Sequence, residues 1–184
     1  MIDIEILRTL LRYEPETGKL FWLPRPVETF ASNRAATIWN KRYAGAEAFT
    51  FTSPAGYKQG RVNYRAVQAH RVIWAMTSGA WPLHEIDHIN GDPGDNRLSN
   101  LRAATRSENG RNVRKHRDAT SRFRGVSWSS RDKRWVAHIC TDGKVKSLGN
   151  YVSEIEAAEV YDRAAAAAHG EYAKLNFATS PTHQ

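Results

Sequence analysis

The sequence predicts an α+β chain in two modules: a strand, strand and helix around one polar loop, then a three-stranded antiparallel sheet packed on a single helix. Two stretches carry that expectation. In the first, the strand-like "EIDHI" runs into the turn-rich "NGDPGDNRLSN", and Thr105 with Glu108 three residues on forms a capping box opening a helix to about Arg114. In the second, "FRGVSWSS", "RWVAHICT" and "VKSLGNY" read as strands joined by turns at Arg131-Asp132 and Asp142-Gly143. Ser153 and Glu156 then cap a helix from about 154 to 168, stopped by Gly170.

The remaining elements follow in order. Residues 4 to 13 place Ile4, Leu7, Leu10 and Leu11 on one helical face, and "PETGKLFW" is a turn entering a strand, with Gly18 as its permissive residue. Residues 24 to 50 show no clean period and suggest no function. "YKQGRV" and "YRAVQ" form a hairpin about Asn63, and "AHRVIWAMTSG" a helix ended by Gly79. Trp74 and Trp81 read as core, and His70 and Arg71 as braces at the helix start. The expected division is an N-terminal region 1–55 without a defined role, a module 56–117, a module 118–178 and a tail 179–184.

Of the net charge of +8, six units sit in residues 102–124, which hold eight Lys/Arg against two Asp/Glu. So local an excess, in a stretch too polar for a core, marks a polyanion contact, with nucleic acid the leading candidate. No apolar run reaches the roughly 20 residues that span a bilayer, and the N-terminus has acids where a signal peptide has positive charge, so a cytoplasmic location without membrane contact is expected. A lone cysteine excludes a disulfide framework; Cys140 reads as a small buried side chain.

The stretch "HEIDHINGD" admits two chemistries. His84, Glu85 and His88 fit H-E-x-x-H, but that zinc motif works only on a helix, and these residues are wedged between Trp81-Pro82 and Asn90-Gly91. Asp92 and Asp95 lack the distal glutamate of a calcium loop. In the other reading Asp87 and His88 end a strand, Asn100 follows His88 by twelve positions, and Asn109 lies in the next helix. A neutral imidazole takes a proton from water near neutral pH, and a carboxylate with an amide oxygen suits magnesium.

Taken together, "AHRVIWAMTSGAWP", "EIDHINGD", "DNRLSNLR" and "SENGRN", over roughly residues 56 to 113, resemble the HNH endonucleases with a ββα-metal site, particularly their phage and intron-encoded branch. "YEPETGKLFW" resembles the leader of phage members. The resemblance implies His88 as general base, Asp87 and Asn109 as metal ligands with Asn112 the alternative to the latter, Asn100 as the loop-bracing residue, and Mg2+ as cofactor with Mn2+ as alternative.

"FRGVSW", "RWVAHI", "SLGNY" and "EAAEVYDRAAAAAHGEYAKLNF", over roughly 121 to 178, resemble the APETALA2/ethylene-response-factor DNA-binding domain, whose sheet enters the major groove. The charge pattern suggests a sheet basic on one face and backed by an acidic helix. Expected DNA contacts are Arg71, Arg97, Arg106, Arg111, Arg114, Lys115 and Arg117, and in the sheet module Arg122, Arg124, Trp128, Arg131, Arg134, Lys144 and Lys146. Val145 and Ser147 stand where plant members carry Arg and Trp, so plant sequence preference does not transfer. The combined expectation is a phage-encoded, homing-type DNA endonuclease acting on double-stranded DNA in a bacterial cytoplasm, with no obligate protein partner; one active centre nicks if the protein is a monomer, and double-strand cutting needs a dimer or two events. The rival is a DNA-binding transcriptional regulator with an inactive HNH-like domain.

Overall fold

The computed structural model describes residues 1–111, 120–141 and 143–177, without the side chains of Ser107 and Arg111. Asn112, Arg114, Lys115, Arg117, the far end of the expected helix to Arg114 and the Asp142 side of one turn lie outside those residues. The chain divides into two compact units, Met1–Arg106 and Ser107–Gln184.

In the first unit, α1 (Ile4–Leu10) starts at Asp3, whose carboxylate accepts the Glu5 N–H at 2.8 Å. Leu11 does not extend this helix. It opens β1 (Leu11–Glu14), which pairs with β2 (Lys19–Trp22) as a hairpin, and the backbone leaves the helix with Leu10 and Leu11 both buried. The stretch without periodicity holds a helix, α2 (Asn33–Tyr43), capped by Ser32. Only Ala36 of it is buried, which explains the missing pattern; its anchors are Trp39, edge-on to Trp22, and Asn40, bonded through both amide atoms to the Arg25 backbone. β3 (Glu47–Ala48) completes that sheet.

A second sheet contains β4 (Phe51–Thr52), β5 (Lys58–Val62) and β6 (Arg65–Gln68). Its two-residue turn holds Asn63 and Tyr64 at φ 48° and 65°, the left-handed pair that a tight hairpin requires. α3 (Ala69–Ser78) buries His70, Val72, Ile73 and Ala75 and ends at Gly79 with φ 75°. Leu7, Leu20, Val62, Ile73, Ile86 and Leu101 share one core, with Trp74 and Trp81 half-buried against it. β7 (Glu85–His88) and β8 (Leu101–Ala104) form an antiparallel pair, and α4 (Arg106–Arg111) begins at the last residue of the unit, giving the ββα succession.

In the second unit, β9 (Val126–Ser129), β10 (Arg134–Thr141) and β11 (Lys144–Tyr151) form an antiparallel sheet in the order β11-β10-β9, against which α5 (Glu154–His169) packs. Ser153 caps α5 by accepting from Glu156 N–H. Four small residues, Val126, Ala137, Ala157 and Ala158, form the buried seam, which lets helix and sheet approach closely. A Cβ at Gly125, where φ is 68°, would run into the Tyr161 ring. Cys140 is exposed rather than buried, because it alternates with buried Ile139 and falls on the sheet face away from the seam. Among the described residues no helix is long and apolar enough to cross a membrane.

Candidate active site

His84, Glu85 and His88 do not share a helical face: Glu85 and His88 lie on strand β7, so the zinc-protease geometry is absent. Among the described residues no group of three His, Cys, Asp or Glu side chains is placed to hold a metal ion. What β7 does provide is two adjacent buried polar residues, Asp87 at 3% and His88 at 5% exposure.

Successive strand residues project to opposite faces. Asp87 faces Arg102 across the ladder and receives its Nε–H and Nη2–H on Oδ2 at 2.9 and 2.7 Å. Beside it, the His88 ring lies edge-on to His70 at 5.1 Å and tilted to Tyr57 at 5.9 Å. Its Nε2 is 3.2 Å from Asn96 Oδ1. The Asn96 amide is oriented by its own Nδ2, which donates to the Gly94 carbonyl at 3.2 Å. The atom facing His88 is therefore an acceptor, so Nε2 carries the proton and Nδ1 the lone pair. Burial pulls the His88 pKa below its ordinary value, opposed by the Asn96 hydrogen bond and the carboxylates of Asp87, Asp92 and Asp95.

The intervening loop, residues 89–100, is tied across its base by Asn100. Its Oδ1 accepts the Asn90 N–H at 3.0 Å, and its Nδ2 donates to Asn90 Oδ1 and the Asp95 carbonyl at 3.0 and 2.9 Å. Arg97 forms a bidentate pair with Asp95 at 2.8 and 2.6 Å, which holds the Asp95 pKa down to about 2. The N-terminal hairpin supports this loop from outside. The Tyr13 hydroxyl accepts the Leu98 N–H at 2.9 Å, and Gly18 lies so close to Asn96 and Arg97 that a Cβ would strike their backbone.

Arg71 spends its guanidinium on the carbonyls of Pro82 and His84, at 3.2 and 3.4 Å, bracing the approach to β7. Arg106 is exposed at the start of α4; Asn109, also on α4, is half-buried in the second unit. Asn96, His70, Tyr57 and Arg102 were missed by the sequence reading. The only signal for them was local: Asn96 sits in a loop read as a turn, and His70 in a helix read as bracing.

His70 is 4% exposed and its Nδ1 has no hydrogen-bond partner among the described residues. Desolvation, with His88 and Arg71 adding, lowers its pKa to about 3. Because the folded value lies below the unfolded one, the unfolded chain binds the extra proton, so stability is full above about pH 6.5 and falls as pH drops toward 3. Between pH 6.5 and 5 the loss is roughly 1.5 kcal/mol. Urea melts at those two pH values should show this gap in the natural chain and a smaller one in His70→Phe; equal gaps would refute it.

In the sheet unit, register sorts the charged residues. Arg134 stands opposite Ser129 and shares the open face with Val136, while Lys144 and Lys146 pair with Thr141 and Ile139. Trp128 faces Trp135 edge-on at 5.0 Å, on the side that carries Val126 and Ala137, and stays 40% exposed. The basic side chains are thus divided between both faces of the sheet rather than gathered on one, because the strands pair in steps of two. Arg131 is exposed on the β9–β10 turn, Arg122 lies over the Phe123 ring, and the Arg124 backbone is clamped by Asn176 at 2.6 and 3.1 Å.

A family model described as HNH endonuclease matches residues 67–111, from within β6 through α4. The chain belongs to the HNH endonuclease family, a class of nucleases that generally use a divalent metal. It is similar to Protein 3.8 of Escherichia phage T7, with 31% identity over 113 residues that cover 61% of this chain and 93% of that protein. It is also similar to the AP2-like ethylene-responsive transcription factor TOE2 of Arabidopsis thaliana, with 41% identity over 61 residues, 33% of this chain and 13% of that protein. APETALA2-like protein 2 of Oryza sativa subsp. indica matches at 41% over 61 residues, 33% of this chain and 14% of its own length. No solved structure matches the chain.

Proposed function

We propose that the protein is a metal-dependent DNA endonuclease of homing type that nicks double-stranded DNA, with His88 activating the attacking water. The observation that carries this reading is the 3.2 Å contact between His88 Nε2 and Asn96 Oδ1, which favours the proton on Nε2 and leaves Nδ1 as the basic nitrogen. Burial keeps the ring neutral, the form that accepts a proton.

The residues present fit a magnesium ion: Asp87 is a buried carboxylate, a hard oxygen donor, and such sites use one or two carboxylates completed by water and phosphate. When bound, the ion supplies Lewis-acid stabilisation of the leaving 3′ oxygen. Asp87 would hold it, and Asn109 is proposed as second ligand on the family resemblance alone, with Asn112 as alternative. In-line displacement needs base and leaving group on opposite sides of phosphorus. On β7 the two adjacent side chains leave opposite faces of the strand, so the convergence of Asp87 and His88 on one phosphate is proposed on the family resemblance. Asn100 keeps the loop, and with it Asn96, in place.

The sheet unit is proposed as the DNA reader through Arg122, Arg124, Trp128, Arg131, Arg134, Lys144 and Lys146, while Arg97, Arg106, Arg111, Arg114, Lys115 and Arg117 position the backbone. Residues 56–117 are proposed as the nuclease module and 118–178 as the reader, within a bacterial host's cytoplasm. One observation favours the rival regulator: Arg102 already neutralises Asp87. The two readings separate in one assay. Supercoiled plasmid incubated with Mg2+ should become nicked, and chelator should stop it; intact plasmid with both Mg2+ and Mn2+ would decide for the regulator.

A further inference from the structure

The N-terminal part of the first unit contains a cleft that the nuclease reading does not use. Its volume is about 310 Å³, near the small end of the roughly 300 to 1,000 Å³ typical of ligand pockets, and its walls include Trp22, Trp39, Tyr43, Arg25 and Arg61. The rings are held before any ligand arrives: Trp22 meets Trp39 edge-on at 5.8 Å and Trp39 meets Tyr43 at 5.3 Å.

Arg25 is fixed over the Phe30 and Trp39 rings at 4.7 and 5.2 Å, and its shielded Nε has no acceptor among the described residues. Arg61 is exposed on β5. Neither arginine forms an ion pair with a carboxylate among the described residues. The hairpin turn bordering the cleft at Asn63 continues into Tyr64, which is 98% exposed in left-handed backbone. A pre-formed aromatic wall with two unpaired guanidinium groups has the chemistry of a flat, π-rich ligand that carries a phosphate.

We propose that this cleft binds one unpaired nucleotide of a DNA strand, its base on the aromatic wall and its phosphate on Arg25 and Arg61. The proposal rests on the nuclease reading for the identity of the strand as DNA. A site of this kind would favour substrate with a displaced or extruded base near the cut, a preference that a duplex-reading sheet does not supply.

The test is ultraviolet cross-linking of the full chain, in chelator, to a single-stranded oligonucleotide carrying one 5-bromodeoxyuridine, followed by peptide mapping. Adducts on Trp39 or Tyr43 are expected, with a yield reduced roughly tenfold by Arg61→Ala and restored in part by Arg61→Lys. Arg61 is exposed and unpaired, so neither substitution should unfold the chain. Excess 5′-dAMP separates the two sources of the ligand: displacement assigns the site to a free mononucleotide as well as to a strand, and persistence assigns it to the strand alone. Adducts confined to other peptides, or a yield indifferent to Arg61→Ala, would overturn the site. A chain that cross-links there but does not nick plasmid instead refutes the nuclease reading and leaves the cleft standing.

Discussion

His88→Ala should lower plasmid nicking about 10²- to 10⁴-fold, the range that a positioned general base contributes. The substitution removes the nitrogen proposed to take the proton from water, and with it the bond to Asn96, while the Arg102–Asp87 pair and the Asn100 bonds that tie the loop do not involve the ring. Its ring contacts with His70 and Tyr57 are lost as well, so circular dichroism must show the same fold before the rate is read. Added imidazole, a proton acceptor small enough to enter the gap left by the ring, should restore part of the rate and do nothing for the natural protein. Single-turnover conversion of supercoiled to nicked plasmid measures both. Cleavage at the natural rate in His88→Ala, with the fold intact, would remove the proposed base.

Asp162→Asn should cost the sheet unit about 2 to 4 kcal/mol. The buried carboxylate of Asp162 accepts four hydrogen bonds: the Asn176 N–H reaches both oxygens at 2.8 and 2.9 Å, Asn176 Nδ2 reaches Oδ1 at 2.9 Å, and the Phe177 N–H reaches Oδ2 at 2.9 Å. The same Asn176 side chain holds the Arg124 backbone, so the helix, the closing segment and the entry to β9 meet at one carboxylate. An amide of the same shape turns one acceptor into a donor aimed at other donors, and each unsatisfied buried group costs about 1 to 3 kcal/mol. For a unit of this size that is a fall in melting temperature of more than about 8 °C. Thermal melts followed by near-ultraviolet circular dichroism, to which the Trp128–Trp135 pair contributes the sheet unit's tryptophan signal beside the four tryptophans of the first unit, would show it; a sheet-unit transition left unshifted would mean that the clamp contributes nothing.

Much of this architecture was legible because local chemistry and global packing agree. Gly79, Ser153 and the Asn63 turn announce their elements by capping and backbone conformation, and the structure places helix end, helix start and hairpin there. α2 was not legible because it lies on the surface with a single buried residue, so no 3.6-residue stripe exists to be read. Leu11 was misassigned because a buried leucine at the end of a helical stripe serves equally well as the first inward residue of a strand. The face of Cys140 and the division of the sheet's basic residues depend on register across a pair of strands, which one strand's sequence does not contain. At the candidate site, Asp87, His88 and Asn100 stood out through their joint spacing. Asn96 and Arg102 act through contacts made only after the loop and ladder close, and their sequence surroundings are ordinary.

The Asp162 clamp also dictates an order of events during synthesis. The partners of that carboxylate, Asn176 and Phe177, leave the ribosome after every strand of the sheet and the whole of α5. Until they emerge, the helix presents an acid with its acceptors unfilled, so this unit can collapse early but is locked only once residues 176 and 177, which follow α5 in the chain, are available. A nascent chain halted shortly before that point would keep a loose, protease-sensitive sheet.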